Sequence, residues 1–333
     1  MGGARRGYLT LKALLEAKRK VIGIVSLAQD EHETDRYEEP IKNLAEKFNL
    51  SHFLTKQMKE RDYFKLISEE LRPDLAFVVG CRFILPQSVY TIPSLGTVAF
   101  HDSLLPRYRG FAPLNWSLLN GENQTGVTAF FIGEKFDAGD IIVQKPVEIG
   151  PDEPAPQVYE RICQATVDLA LEVDERIAKG NFSRTPQEDR QATFTCSRNP
   201  EDGLIDWRQS VRAVYNQIRA LTFPYPGAYT YYRGKKLILW KAKPVADPPK
   251  YVGRIPGRVV GFSKREGWAD ILTSDGILRI VEVQTEDHEK TSAASVLYSV
   301  REKLGLEIPD LLERIRFLER ALAEITQPQS YGS

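Results

Sequence analysis

Short apolar runs alternate with amphipathic stretches through the first half of this chain, and that alternation constrains its fold more than any other feature. "YLTLKALLEAK" reads as a helix and "VIGIVSL" as a buried strand. A polar loop and helix follow in "DEHETDRYEEPIKNLAEKFNL", then a short strand "HFLTK", a helix "YFKLISEELRP" and the apolar strands "DLAFVVG" and "GTVAFH". Repeated βα units predict a doubly wound α/β fold with a mostly parallel sheet and helices on both faces. In such sheets the site lies beyond the carboxyl ends of the strands, where His101 is delivered. The chain opens on "MGGARRGYLT" with no strand before the first helix. Loss of an interior strand exposes two unpaired edges, so the expectation is a first strand absent from this chain and a start set too late.

"TGVTAFFI" and "GDIIVQKPVEI" read as paired strands around the turn "GEKFDAGD", and "APQVYERICQATVDLALEVDERIAKG" as a long closing helix. These predict an α/β domain over 1–185, a polar linker over 186–203 and a smaller β-rich, barrel-like domain over 204–330. The second domain is read from one helix, "VRAVYNQIRAL", and the short strands "AYTYYRG", "KLILWKAKP", "RVVGF", "WADILTS" and "GILRIVEVQ". Leu311, Ile315, Leu318, Leu322 and Ile325 form a helical stripe, read as packing on its own domain, with a homo-oligomeric seam as the alternative.

Composition narrows the function. The 333 residues carry 45 basic and 45 acidic side chains, so no basic excess points to nucleic acid. Cys81, Cys163 and Cys196 have no metal or redox spacing, and His32, His52, His101 and His288 are too scattered for a zinc site, so no metal is expected. No apolar run reaches membrane-spanning length and no signal peptide is visible, which predicts a cytoplasmic protein with no membrane partner. "MGGARRG" lacks the G-x-G-x-x-G spacing of a dinucleotide site.

The stretch "HDSLLPRYRGFAPLNWSLLNGENQTGVTAFFIGEKFDAGDII" resembles the signature of the 10-formyltetrahydrofolate-dependent formyltransferases: Asn-x-His, SLLP, G-x-APxxW and an aspartate in a D-x-G-D turn. The later stretch "RNPEDGLIDWRQSVRAVYNQIRALTFPYPGAYTYYRGKKLILWKAKP" is similar to the formyltransferase portion of the enzyme that formylates UDP-4-amino-4-deoxy-L-arabinose. The resemblance implies transfer of a formyl group from 10-formyltetrahydrofolate to a nucleotide-linked amino sugar. It implies that His101 shuttles the proton, that Asp137 orients the imidazole and raises its pKa, and that the donor is read at Phe83, Ile84, Leu85 and the turn Gly133, Glu134, Lys135, Phe136 and Asp137. Ala99 stands where the family has asparagine, and a methyl group cannot donate to an oxyanion. Ser103 and Asn115 are the nearby replacements. Phe111 likewise stands where the aminoarabinose enzyme has arginine. "PRYRG" has two readings, a rigid loop with solvated arginines or one in which Arg107 or Arg109 meets an anion. Methionyl-tRNA formylation and a non-catalytic binding relic are the competing functions. Against the former, "AQDEHETDRYEEP" sets Asp30, Glu31, Glu33, Asp35, Glu38 and Glu39 against Arg36 alone, a surface that repels phosphate.

Overall fold

In the first unit the named strands form a two-stranded parallel segment and a four-stranded mixed segment joined through residues 1–3, with a further short parallel pair. The computed structural model describes residues 1–28, 36–55, 60–81, 84–286, 288–306, 311–312, 315–320 and 322. Its chain divides into two units, Met1–Arg198 and Asn199–Ser333. The first runs α1 (Ala4–Glu16), β1 (Gly23–Leu27), α2 (Glu38–Lys47), β2 (Ser51–Thr55), α3 (Glu60–Lys65), a π-helical turn (Leu66–Leu71), β3 (Ala76–Val79) and α4 (Gln87–Tyr90). It continues through β4 (Thr97–His101), β5 (Arg109–Gly110), α5 (Pro113–Leu119), β6 (Gln124–Phe131), β7 (Ile141–Glu148), α6 (Ala155–Ala178) and β8 (Phe194–Thr195).

Strands β1 and β2 are parallel, as are β3 and β4, and β6 and β7 extend the sheet antiparallel beyond β4. Between β1 and β3 lies the position expected to lack a strand. Residues 1–3 run there: Gly2 bridges in parallel to Ser26 and Val79, the Gly2 amide donates to the Val25 carbonyl at 3.0 Å, and the Met1 carbonyl accepts from the Val79 amide at 2.9 Å. Met1 and Gly2 line a cleft of ≈ 520 Å³ together with Leu14, Val21, Leu71, Phe77, Leu95 and Ile177, among others. His101 and Asp137 do not line it.

Helix α6 secures the sheet from one side. Val158, Ile162, Ala165, Leu169, Val173 and Ile177 recur at helical spacing and are buried, facing β6, β7 and α1. The helix stops where Gly180 turns left-handed at φ +65°. Alternation places Val98 and Phe100 of β4 in the core on one face and Ala99 and His101 on the other.

The polar stretch 186–203, expected as a linker, is structured instead. Its residues up to Arg198 belong to the first unit, and β8 pairs in parallel with β5. Turn-forming composition marks it as surface chain, but its polar side chains and backbone satisfy groups of the site turn, which no local pattern reveals.

The second unit holds α7 (Val211–Leu221), β9 (Ala228–Tyr232), β10 (Lys235–Pro244), β11 (Val259–Ser263), β12 (Trp268–Leu272), β13 (Ile277–Thr285), β14 (Thr291–Ser292) and α8 (Ala293–Val296). Its antiparallel order is β11-β12-β13-β10-β9, with β14 on β13. Leu237, Leu239, Ile271, Leu278 and Ile280 are fully buried there. The terminal stripe does not pack as expected: Leu311, Ile315, Leu318 and Leu322 are all about half exposed or more, and Ile325 lies outside the described residues.

Candidate active site

The carboxyl end of β4 delivers His101, and the loop behind it is pinned to the sheet. Thr128 of β6 donates its hydroxyl to the Ser103 carbonyl at 2.6 Å and accepts from the Leu105 amide at 3.1 Å. Thr125 donates to the Asp102 carbonyl at 3.2 Å, and Gln144 of β7 to the Leu105 carbonyl at 2.8 Å. The Ser103 hydroxyl donates to the Arg107 carbonyl at 2.7 Å, so this candidate replacement for the asparagine has its proton engaged. Asn115, the other candidate, is buried on α5.

His101 is 9% exposed. Its Nε2 lies 2.7 Å from the Tyr108 carbonyl and its Nδ1 3.5 Å from Asp137 Oδ2. The carbonyl can only accept, so Nε2 carries a proton and Nδ1 is the basic nitrogen of the neutral ring. Burial pushes the His101 pKa below the ordinary histidine value; Asp137 and the Tyr108 carbonyl act in the opposite direction, and Arg6 adds to the lowering. Asp137 thus favours the imidazolium as expected, but desolvation outweighs it, and the net direction is down rather than up. A neutral imidazole facing a carboxylate is a base whose conjugate acid is stabilised as it forms.

Asp137 is held by Gly110 and Gln187. The Gly110 amide of β5 donates to Oδ2 at 2.9 Å. Gln187 donates to the carbonyls of Asp137 at 2.9 Å and Gly139 at 2.8 Å, and its own Oε1 accepts from Arg109 Nε at 3.0 Å and Nη2 at 2.9 Å. Arg109 also reaches Asp189 at 2.9 Å. Arg109 is therefore a buried brace, which fits neither the solvated nor the anion-binding reading, while Arg107 pairs with Glu122 at 2.7 Å. Only glycine fits at 110, because φ is +118° and a Cβ would stand 2.3 Å from the Thr195 carbonyl oxygen. Tyr108, Ala112 and Asp137 all adopt positive φ around His101, the kind of backbone strain that accumulates at functional sites.

Sequence reasoning and structure agree on bringing His101 and Asp137 together. Ala99 lies two residues before His101 on the same face of β4, with its methyl against the apolar cluster that includes Val78, Leu85 and Val89. Leu85 is buried in that cluster, whereas Ile84 is 74% exposed, and Phe83 lies outside the described residues. Gly133 is partly buried, and Glu134, Lys135 and Phe136 are exposed. Phe136, next to Asp137 in the chain, stacks on Phe111 with ring centroids 5.6 Å apart, and both rings are half-exposed. Gln187, the Tyr108 carbonyl, Arg6 and Asp102 were missed from the sequence. Gln187 is 50 residues from Asp137 in a stretch read as linker, and a backbone carbonyl leaves no sequence mark. No group of histidine, cysteine, aspartate and glutamate able to hold a metal occurs among the described residues, and no helix among them is long and apolar enough to cross a membrane.

Residues 9–173 match the family model described as formyl transferase, and residues 198–301 the model described as formyl transferase, C-terminal domain. The methionyl-tRNA formyltransferase of Geobacter metallireducens is 35% identical over 303 residues, covering 90% of this chain and 94% of that protein. The bifunctional polymyxin resistance protein ArnA of Wigglesworthia glossinidia brevipalpis is 34% identical over 257 residues, 77% of this chain and 38% of that protein. In fold the chain is similar to the N-formyltransferase of Helicobacter canadensis, solved with folinic acid and dTDP-3-aminofucose, at a TM-score of 0.66, 18% identity and coverage of 85% and 97%. It is likewise similar to HypX of Aquifex aeolicus, solved with tetrahydrofolic acid, at 0.60, 22%, 84% and 47%. With relatives matched along nearly their whole length at this identity and both domains recognised, the chain belongs to the formyl transferase family.

Proposed function

We propose that this protein transfers a formyl group from 10-formyltetrahydrofolate to the amine of a nucleotide-linked amino sugar. The observation that carries the transfer chemistry is the buried His101, with Nδ1 directed at Asp137 and Nε2 held by the Tyr108 carbonyl. The folate supplies an activated formyl carbon. The new bond joins the substrate amine to that carbon, the bond from carbon to N10 breaks, and one proton passes from the amine to N10. His101 carries this proton on Nδ1, and Asp137 stabilises the imidazolium while it does so. The half-exposed Phe111 and Phe136 rings and the exposed Ile84 offer apolar surface to the flat rings of the folate, so the residues present fit the donor. Ala99 leaves the oxyanion without the amide donor that the family pattern supplies.

The balanced charge of the chain and the acidic stretch from Asp30 to Glu39 favour a small-molecule amine over tRNA. Residues 29–35 of that stretch lie outside the described residues. A second reading, methionyl-tRNA formylation, is favoured by the relatives of that name, which match this chain at 32–35% identity. The deciding experiment offers 10-formyltetrahydrofolate with either nucleotide-linked 3-amino and 4-amino sugars or initiator methionyl-tRNA, and reads the gain of a formyl group by mass. Formylation of a sugar supports the proposal, formylation of the tRNA establishes the second reading, and formylation of neither, with folate still bound, supports the binding relic.

A further inference from the structure

The first turn of α1 is electrostatically inverted. Arg5 and Arg6 occupy it and no acidic residue does, although a helix amino terminus carries partial positive charge and favours anions. Arg5 resolves this on the surface by pairing with Glu160 of α6. Arg6 does not reach the surface: its side chain is 10% exposed, and its Nη1 pairs with Oδ1 of Asp102, itself 17% exposed. Neither of these two buried atoms has a further hydrogen-bond partner. An ion pair enclosed in this way loses hydration at both ends, and an apolar pair of the same volume commonly serves stability as well or better. Its location suggests another use, since Asp102 immediately follows His101 and holds the Arg6 guanidinium there.

We infer that Arg6 and Asp102 are a positioning pair for His101, tying α1 to the carboxyl end of β4 and presenting the imidazole with a balanced charge rather than a bare one. Asp102 anchors the backbone next to the histidine from one side, while Thr125 holds the Asp102 carbonyl from β6. The guanidinium sits near the tip of β3 as well, with Nη2 4.0 Å from where a side chain on Gly80 would begin. The pair therefore spans α1, β3 and β4 at the edge where the site lies. The groups that face His101 are Asp137 from the turn after β6, the Tyr108 carbonyl from the loop after β4, and Arg6 from α1. Asp137 is opposed by Arg6, and Arg6 is in turn compensated by Asp102. Burial keeps the histidine uncharged beside its carboxylate partner, and Arg6 adds to that effect.

The inference rests on the proposed role of His101 as proton carrier, so its test includes a readout that needs no turnover. The titration midpoint of His101 is read by NMR on histidine-labelled protein, with the His101→Gln variant giving the assignment, and the pH dependence of kcat/KM is recorded in parallel. Arg6→Met removes the cation that adds to the lowering of the His101 pKa, leaves Asp102 without its partner, and is expected to raise the midpoint by about half a pH unit or more. Asp102→Asn leaves Arg6 uncompensated and is expected to lower it by a similar amount. The double variant returns close to the parent value, and Arg6→Lys, which keeps the charge, leaves the midpoint nearly in place. The acid limb of the kcat/KM profile follows the same order. A pair that only supported the fold would lower stability in both single variants without moving the midpoint in opposite directions. Midpoints that stay fixed, or move the same way in both, overturn the inference. Where Arg6→Met does not fold, Asp102→Asn against Arg6→Lys decides alone: a lowered midpoint in the former supports the pair, and an unchanged one overturns it. If the NMR midpoints move as expected but no formyl acceptor is found, the proposed transfer reaction fails and the charge relation stands.

Discussion

Restoring an amide donor with Ala99→Asn separates two effects that the position of residue 99 sets against each other. Ala99 shares a face of β4 with His101 and is partly buried, with its methyl against the apolar cluster of Val78, Leu85 and Val89. A donor aimed at a developing oxyanion is worth about 10² to 10³ in kcat, or about 3–4 kcal/mol. Placing an amide on this partly apolar surface opposes folding by about 1–3 kcal/mol where its groups are left unpaired. In a unit of this size that corresponds to a fall in Tm of roughly 2–10 °C. The gain acts in the transition state and the cost acts on the fold, so the two appear in different assays. The expected result is a kcat raised about 100-fold or more in single-turnover formyl transfer, nearly unchanged affinity for 5-formyltetrahydrofolate by calorimetry, and a lower Tm. An unchanged or reduced kcat in a folded, folate-binding variant would refute the reasoning and show that the oxyanion already has a donor.

Gln187→Leu removes the donor to two carbonyls of the site turn and the acceptor for buried Arg109, so urea unfolding is expected to show about 2–4 kcal/mol lost from the first unit, with kcat falling as Asp137 loosens. Gly139→Ala would put a Cβ 1.8 Å from the Phe131 carbonyl oxygen, so the turn must move; kcat is expected to fall by about 100-fold or more, and parent-like activity would show that the turn does not position Asp137. The folded state lowers the His101 pKa, so its stabilising contribution is present above about pH 6.5 and is lost as pH falls through the folded value. Urea midpoints measured from pH 7 to pH 5 are expected to decline more steeply in the parent than in His101→Gln, and parallel declines would contradict the direction of the shift.

The first-unit pattern of strand and helix was legible because burial on both sheet faces imposes continuous apolar runs, while helices facing the sheet show apolar residues every three to four positions. His101 was legible as a histidine at a strand end, whereas the role of Asp137 came from the resemblance of the D-x-G-D turn to the formyltransferase signature. Other features required the tertiary structure. The direction of the His101 pKa depended on burial, a sum over neighbours from several elements that overturned the effect of one nearby carboxylate. Residues 186–198 read as linker because polarity looks the same whether a side chain meets water or, like Gln187, the carbonyls of a turn 48 and 50 residues away. The terminal stripe read as packed because periodicity reports which residues share a helix face, but not whether anything covers it. Sequence by itself thus determined the elements and the chemistry carried at their ends. Only the tertiary structure decided which distant groups share a low-dielectric neighbourhood, because contact across tens of residues leaves no mark on either local stretch.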